Sequence, residues 1–132
     1  MPRIEHVALW THDLARLRDF YVRYFGARAG DGYRNEARDF DSCFLDFDGG
    51  ARLEIMRSGW LDLADAAAGA QRRGLTHLAI SVGSEGGVDG LTRRLAEDGY
   101  QVLDGPRRTG DGYYESVVLD PDGNRVEVTS WE

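Results

Sequence analysis

Apolar residues along this chain recur with two periods. From Ile4 to Trp10 they alternate, with Ile4, His6, Ala8 and Trp10 on one face and Val7 and Leu9 on the other, the pattern of a half-buried strand. From Leu14 to Phe25 the spacing of Leu14, Leu17, Phe20, Tyr21 and Tyr24 predicts a helix, opened by the cap in Thr11-His12-Asp13 and stopped by Gly26. Residues 27–39 are polar and predict a long loop or a weak strand. Ser42–Phe47 and Arg52–Met56 read as strands joined by Asp48-Gly49-Gly50, a hairpin turn. The alanine-rich stretch from Trp60 to Arg73 predicts a short linking helix. Leu75–Val82 begins the alternation again, Ser84-Glu85-Gly86-Gly87 reads as a loop, and Val88–Asp98 predicts a helix closed by Gly99. Tyr100–Leu103 predicts a short strand and Gly105–Gly112 a loop. A hairpin of Tyr113–Leu119 and Asn124–Ser130 follows, closed by Pro121-Asp122-Gly123.

The second half repeats the first. Asp120-Pro121-Asp122-Gly123-Asn124-Arg125-Val126-Glu127-Val128 echoes Phe47-Asp48-Gly49-Gly50-Ala51-Arg52-Leu53-Glu54-Ile55, and the glutamates are 73 positions apart. His6 and His77 are 71 apart, each in an opening strand, and Ser42–Asp46 matches Ser116–Asp120 at an offset of 74. Such self-similarity predicts two copies of one module: residues 1–59, a helical linker over 60–74, and residues 75–132. Each module reads as strand, helix, strand, strand, strand. The fold class expected is therefore α+β, with paired βαβββ modules whose helices cover one face of a cupped mixed sheet while the other face encloses a cavity.

Composition narrows the function. A formal charge of -7 over 132 residues disfavours nucleic acid and anionic membranes as partners. All 16 basic residues are arginine, which removes lysine Schiff-base chemistry. The single Cys43 forms no internal disulfide, and no cationic leader or long apolar run occurs, so a cytoplasmic protein is expected.

Alternation then selects the chemistry. In Leu53-Glu54-Ile55 and Val126-Glu127-Val128 the aliphatic pair takes the helix-covered face, which sends each glutamate to the other, and the same logic sends His6 and His77 there. Two imidazoles and two carboxylates form a donor set for a divalent transition metal, Zn, Ni, Co, Mn or Fe. Trp10, Met56 and Tyr113 or Tyr114 are candidates to line a substrate cavity. Arg107 and Arg108 are placed in a loop, and Arg52 and Arg125 are read as charge balance for the nearby glutamates.

These residues carry a family resemblance over nearly the whole chain. His6, Glu54, His77 and Glu127, together with Asp13-Leu14, Phe20-Tyr21, Thr76–Val82 and Asp120–Glu127, resemble the vicinal oxygen chelate superfamily, and within it the four-ligand glyoxalase I type. Relatives such as ring-cleaving dioxygenases and metal-dependent thiol transferases use three ligands, at the positions of His6, His77 and Glu127. The resemblance implies metal ligation by His6, Glu54, His77 and Glu127 and a homodimer. It also implies a lyase or isomerase acting on a small substrate with neighbouring oxygens through an enediolate, with Glu127 first and Glu54 second as the proton carrier. It does not extend to the glutathione contacts, since bacterial glyoxalase I carries an arginine at the position of Trp10 and an asparagine near that of Ser58, and both are missing here. The rival expectations are a small-molecule binding protein similar to bleomycin-resistance proteins, and a metal-dependent thiol transferase or dioxygenase.

Overall fold

The computed structural model describes residues 1–61, 67–71 and 73–130. The chain divides into two compact units, Met1–Ala64 and Asp65–Glu132, each a mixed sheet covered on one face by a helix. Of the stretch 60–74 expected to hold a linking helix, residues 62–66 and 72 lie outside the described residues, and the described ones form turns and bends with no helix. Among the described residues no helix is long and apolar enough to cross a membrane.

In the first unit, strand β1 (His6–Trp10) leads into helix α1 (Leu14–Phe25). The helix starts where it does because the Asp13 carboxylate accepts from the Arg16 backbone N–H, and it ends at Gly26 in the left-handed region (φ 67°). Its buried stripe is Leu17, Phe20, Tyr21 and Tyr24. Short strands β2 (Arg28–Ala29) and β3 (Tyr33–Asn35) follow, then a single 3-10 turn over Glu36–Arg38 capped by the Asn35 side chain. Thus the stretch expected as loop or weak strand contributes two edge pairings to β4 (Phe40–Asp46). Strand β5 (Arg52–Ser58) lies between β1 and β4, parallel to the first and antiparallel to the second. Its helix-facing residues Leu53 and Ile55 are buried in the core with Leu45, Cys43 and the helix stripe. Burial pushes the Cys43 thiol above its usual range, which removes it from thiolate chemistry.

The second unit repeats the plan with β6 (His77–Ser81), α2 (Glu85–Glu97), β7 (Val102–Arg108), β8 (Tyr114–Leu119) and β9 (Arg125–Thr129), in sheet order β6-β9-β8-β7. Two expectations are corrected here. Residues Glu85-Gly86-Gly87 are the first turn of α2 and not a loop, because the Ser84 hydroxyl accepts from the Gly87 backbone N–H (3.0 Å) and Val88, Thr92 and Leu95 bury one stripe. Gly105–Arg108 is strand and not loop. Two register shifts along β7–β8 absorb Gly105 and Pro106, and β7 is an edge strand, where a missing backbone N–H is tolerated.

The DPDGN turn sets the register of β9. Asp120 is buried, and its Oδ1 accepts from the backbone N–H groups of Asp122 and Asn124 while Oδ2 accepts from the Asn124 side-chain amide, each at 2.9 Å. Gly123 (φ 82°) passes Ala68 so closely that a Cβ would sit 2.9 Å from the alanine methyl. Glycine is required there twice over, for the backbone angle and for the space.

Register also corrects the repeat. Phe44 lies opposite Glu54 and Val117 opposite Glu127, so the strands correspond at an offset of 73 and the apparent match of Ser42 with Ser116 is one residue out of step. A slip of one residue reverses the face. Ser42 shares the face of Glu54, whereas Ser116 turns to α2, where its hydroxyl lies 2.7 Å from that of Thr92. The residue that corresponds to Ser42 is Glu115.

Candidate metal-binding half-sites

Each unit brings one histidine and one glutamate together on the face its helix leaves open. Ala8 pairs with Glu54 and Ala79 with Glu127, which places His6 and His77 one alternate position away on the same faces. His6 Nε2 lies 3.7 Å from Glu54 Oε1, and His77 Nε2 lies 3.3 Å from Glu127 Oε1. The carboxylates are largely covered and the imidazoles roughly 40% exposed, at 41% and 39%. Among the described residues no group of three or more His, Cys, Asp or Glu side chains is gathered closely enough to hold a metal ion. The structure therefore shows two pairs, one in each unit.

The other ring nitrogen of each imidazole is engaged. His6 Nδ1 lies 3.1 Å from Glu5 Oε1, and His77 Nδ1 lies 2.8 Å from the Thr76 hydroxyl. Glu5 is an anion at any working pH, because the hydrogen bonds from Arg52, and secondarily from His6, hold its carboxyl down to about 2. An ionised carboxylate only accepts, so in the neutral imidazole of His6 the proton sits on Nδ1 and the lone pair of Nε2 faces Glu54. In the first unit two electron-pair donors then face each other at 3.7 Å, beyond hydrogen-bond reach. Imidazole and carboxylate bonds to a divalent ion of about 2.0–2.2 Å allow donor separations up to about 4.2 Å, so both pairs have the spacing and the chemistry to be ligands of one cation. A carboxylate or hydroxyl behind the imidazole is the usual support for a ligating histidine.

Several side chains depart from their sequence roles. Arg52 balances Glu54 only as a lesser partner: it pairs with Glu5 through Nε and Nη2 and lies over the Phe44 ring at 4.1 Å. Arg125 donates to the Gly69 carbonyl (3.0 Å). Tyr114 does not line the open face, since alternation in β8 turns it toward α2, where its hydroxyl donates to Asp89. Arg108, in β7 and not in a loop, lies 5.6 Å above the Tyr114 ring and pairs with Glu85. Trp10 and Met56 face each other across β1 and β5 on the same side as Glu54, and Tyr113 is exposed just before β8.

Sequence reasoning missed the supporting residues Glu5 and Thr76. Their signal was an oxygen-bearing residue immediately before each histidine. It also missed Glu115, which shares the open face with Glu127 and His77. Burial, and after it the Glu127 carboxylate, raises the Glu115 carboxyl above its ordinary range. A raised carboxyl contributes stability below the ordinary carboxylate pKa, and that contribution is lost as the pH rises through the raised value. In metal-free protein Glu115→Gln is therefore expected to melt about 3 °C higher than the unsubstituted chain at neutral pH, the gap closing as the pH falls toward 4. A gap absent at neutral pH, or one that widens in acid, would show that Glu115 is not strained.

The family is identifiable from the sequence as a whole. The chain belongs to the glyoxalase/bleomycin resistance protein/dioxygenase superfamily, whose family model matches residues 3–128. Among curated proteins it is similar to the uncharacterized protein YqjT of Bacillus subtilis (strain 168), 40% identical over 62 residues that cover 45% of this chain and 48% of that protein. The match thus spans about half the length of that relative. Among solved structures it is similar to a glyoxylase/bleomycin resistance protein/dioxygenase domain from Frankia sp. EAN1pec (20% identity, TM-score 0.81, covering 98% of each chain). It is also similar to the trypanothione-dependent glyoxalase I of Leishmania major (19% identity, TM-score 0.76, 98% of this chain and 87% of that one). At these identities the structural likeness establishes the fold, with its paired modules.

Proposed function

We propose that this protein is a metal-dependent, glyoxalase-like lyase or isomerase acting on a small molecule with neighbouring oxygens. The observation that carries the reading is the repeated half-site, in which an imidazole steadied at Nδ1 directs Nε2 at a carboxylate on an open sheet face. His6, Glu54, His77 and Glu127 are the proposed ligands, supplied by one chain or by two copies in a homodimer. When bound, a divalent ion supplies Lewis-acid polarisation of two adjacent substrate oxygens.

The chain's own residues do the rest. Glu5 and Thr76 fix the imidazoles, and Glu127 takes the proton from the carbon next to the substrate carbonyl and returns it to the neighbouring carbon, with Glu54 as the second candidate. The Glu115 carboxyl, itself raised by burial and by the Glu127 carboxylate, shares the open face with Glu127. Glu127→Gln keeps an oxygen donor and removes the base. It is expected to slow solvent deuterium exchange into a 2-hydroxyketone by about 10²–10⁴-fold, followed by proton NMR at matched metal content. Undiminished exchange with the metal retained would remove Glu127 as the proton carrier. The rival reading, a protein that sequesters a small molecule without turnover, predicts binding of oxygen-rich ligands with no exchange in the unsubstituted protein.

A further inference from the structure

We infer that the open face of the first unit carries an aryl-binding subsite beside the His6–Glu54 pair, so that the substrate is an aromatic compound bearing neighbouring oxygens. The inference rests on the reading of that pair as metal ligands, which fixes where the oxygens sit. Four aromatic rings are joined edge to face on this unit: Tyr33 to Phe40 at 6.1 Å, Phe40 to Trp10 at 6.2 Å and Trp10 to Trp60 at 5.7 Å between centroids. Three keep much of their area open, with Trp10 37%, Tyr33 56% and Trp60 58% exposed. Single exposed aromatics are ordinary, but a contiguous exposed cluster marks a binding surface.

The cluster is continuous with the ligand pair. His6, Ala8 and Trp10 share one face of β1, and Glu54 and Met56 lie opposite Ala8 and Trp10 on β5. A strand advances about 3.3 Å per residue, so a ring resting over Ala8 and against Trp10 lies roughly 7 Å along the strand from His6. Ala8 is the small side chain in the row and leaves that position open. An aryl group there makes the same edge-to-face contacts that the four rings already make with one another.

The repeat supplies the control. Both units keep aliphatic residues on the helix-covered face, Leu53 and Ile55 in one and Val126 and Val128 in the other, because the fold needs them. On the open faces, the positions of Trp10, Met56 and Ser42 correspond by register to Ser81, Thr129 and Glu115. At the level of Trp10 and Met56 one plan thus carries an indole and a thioether in the first unit and two hydroxyls, Ser81 and Thr129, in the second. A ligand with an aromatic portion accounts for that difference.

The test is calorimetric titration of the full chain, loaded with Ni²⁺, with 2-naphthohydroxamate and with acetohydroxamate, which present the same pair of oxygens with and without a ring. The naphthyl probe is expected to bind at least about tenfold tighter, and Trp10→Ala to lower that ratio about tenfold while Trp10→Phe keeps it within about threefold. Trp60→Ala, at a more exposed position, is expected to lower the ratio in the same direction and guards against a folding defect at Trp10. Equal affinities for the two probes, or a ratio unchanged in Trp10→Ala and Trp60→Ala, overturns the subsite. So does a Trp10→Ala variant that turns a dimer into a monomer at unchanged ratio, which assigns the face to a second copy. In metal-free protein 2-naphthalenemethanol, which lacks the chelating group, is expected to bind and to lose about tenfold on Trp10→Ala. If it does so while acetohydroxamate ignores the metal, the ligand-pair reading fails and the ring site stands.

Discussion

Replacing His77 with alanine is expected to lower the affinity for a divalent ion at least about 100-fold while leaving the fold intact. The size follows from the outer partners: removing a group that only steadies a metal-bound imidazole costs about 10–100-fold, and His77 is proposed as a ligand itself. The fold survives because His77 is the first residue of β6, its side chain is 39% exposed, and the contacts of its ring are polar ones, with Thr76 on one side and Glu127 on the other. Thr76→Val removes the hydroxyl behind the ring and leaves the ligand in place, so it is expected to weaken the ion about tenfold. Titration with Zn²⁺ or Ni²⁺ against a competing chelator reads both variants. Unchanged affinity in His77→Ala would place any bound ion elsewhere.

Asp120→Ala is expected to destabilise the protein by about 3 kcal/mol, with a fall in Tm of about 10 °C. At least three hydrogen bonds end on this buried carboxylate, and two of them come from backbone N–H groups of the turn. Alanine leaves those donors without their acceptor. Asp120→Asn keeps an oxygen and the shape but loses the charge, and it should fall between the two. The consequence reaches the site, because the turn sets the register in which Glu127 pairs with Val117 and faces His77. Thermal unfolding with metal removed separates this effect from metal binding. A change within about 1 kcal/mol would show that the turn holds without its carboxylate.

Local rules carried much of the fold. The bounds of α1 follow from neighbours in sequence: Asp13 caps it, a 3.6-residue stripe fills it and Gly26 ends it. The face of each glutamate follows from the aliphatic residues on either side. What required long-range contacts was less visible. Gly86 and Gly87 have poor helix propensity, so α2 begins there only because Ser84 caps it and the stripe behind is buried. Pro106 reads as a loop residue until bulges on an edge strand accommodate it. Glu115 looked like one more polar residue, because the two serine-led strands suggest a register one residue out of step.

The candidate site was legible as residue types and not as supports. His6, Glu54, His77 and Glu127 stand out through repetition. Alternation over strands expected from Ile4 and Leu75 sends Glu5 and Thr76 to the helix-covered face, whereas the observed strands begin only at His6 and His77, and the reach of both residues to Nδ1 depends on side-chain geometry. Tyr113 and Tyr114 are equivalent in sequence, and only the pairing of β8 turns the second toward Asp89.

The most direct measurement is the divalent metal content and stoichiometry of the purified chain, determined by elemental analysis alongside His6→Ala and His77→Ala. The account predicts one ion for each set of His6, Glu54, His77 and Glu127, and its loss when either histidine is removed. Full retention of the ion in both variants, or two ions per chain that each depend only on their own pair, would contradict it.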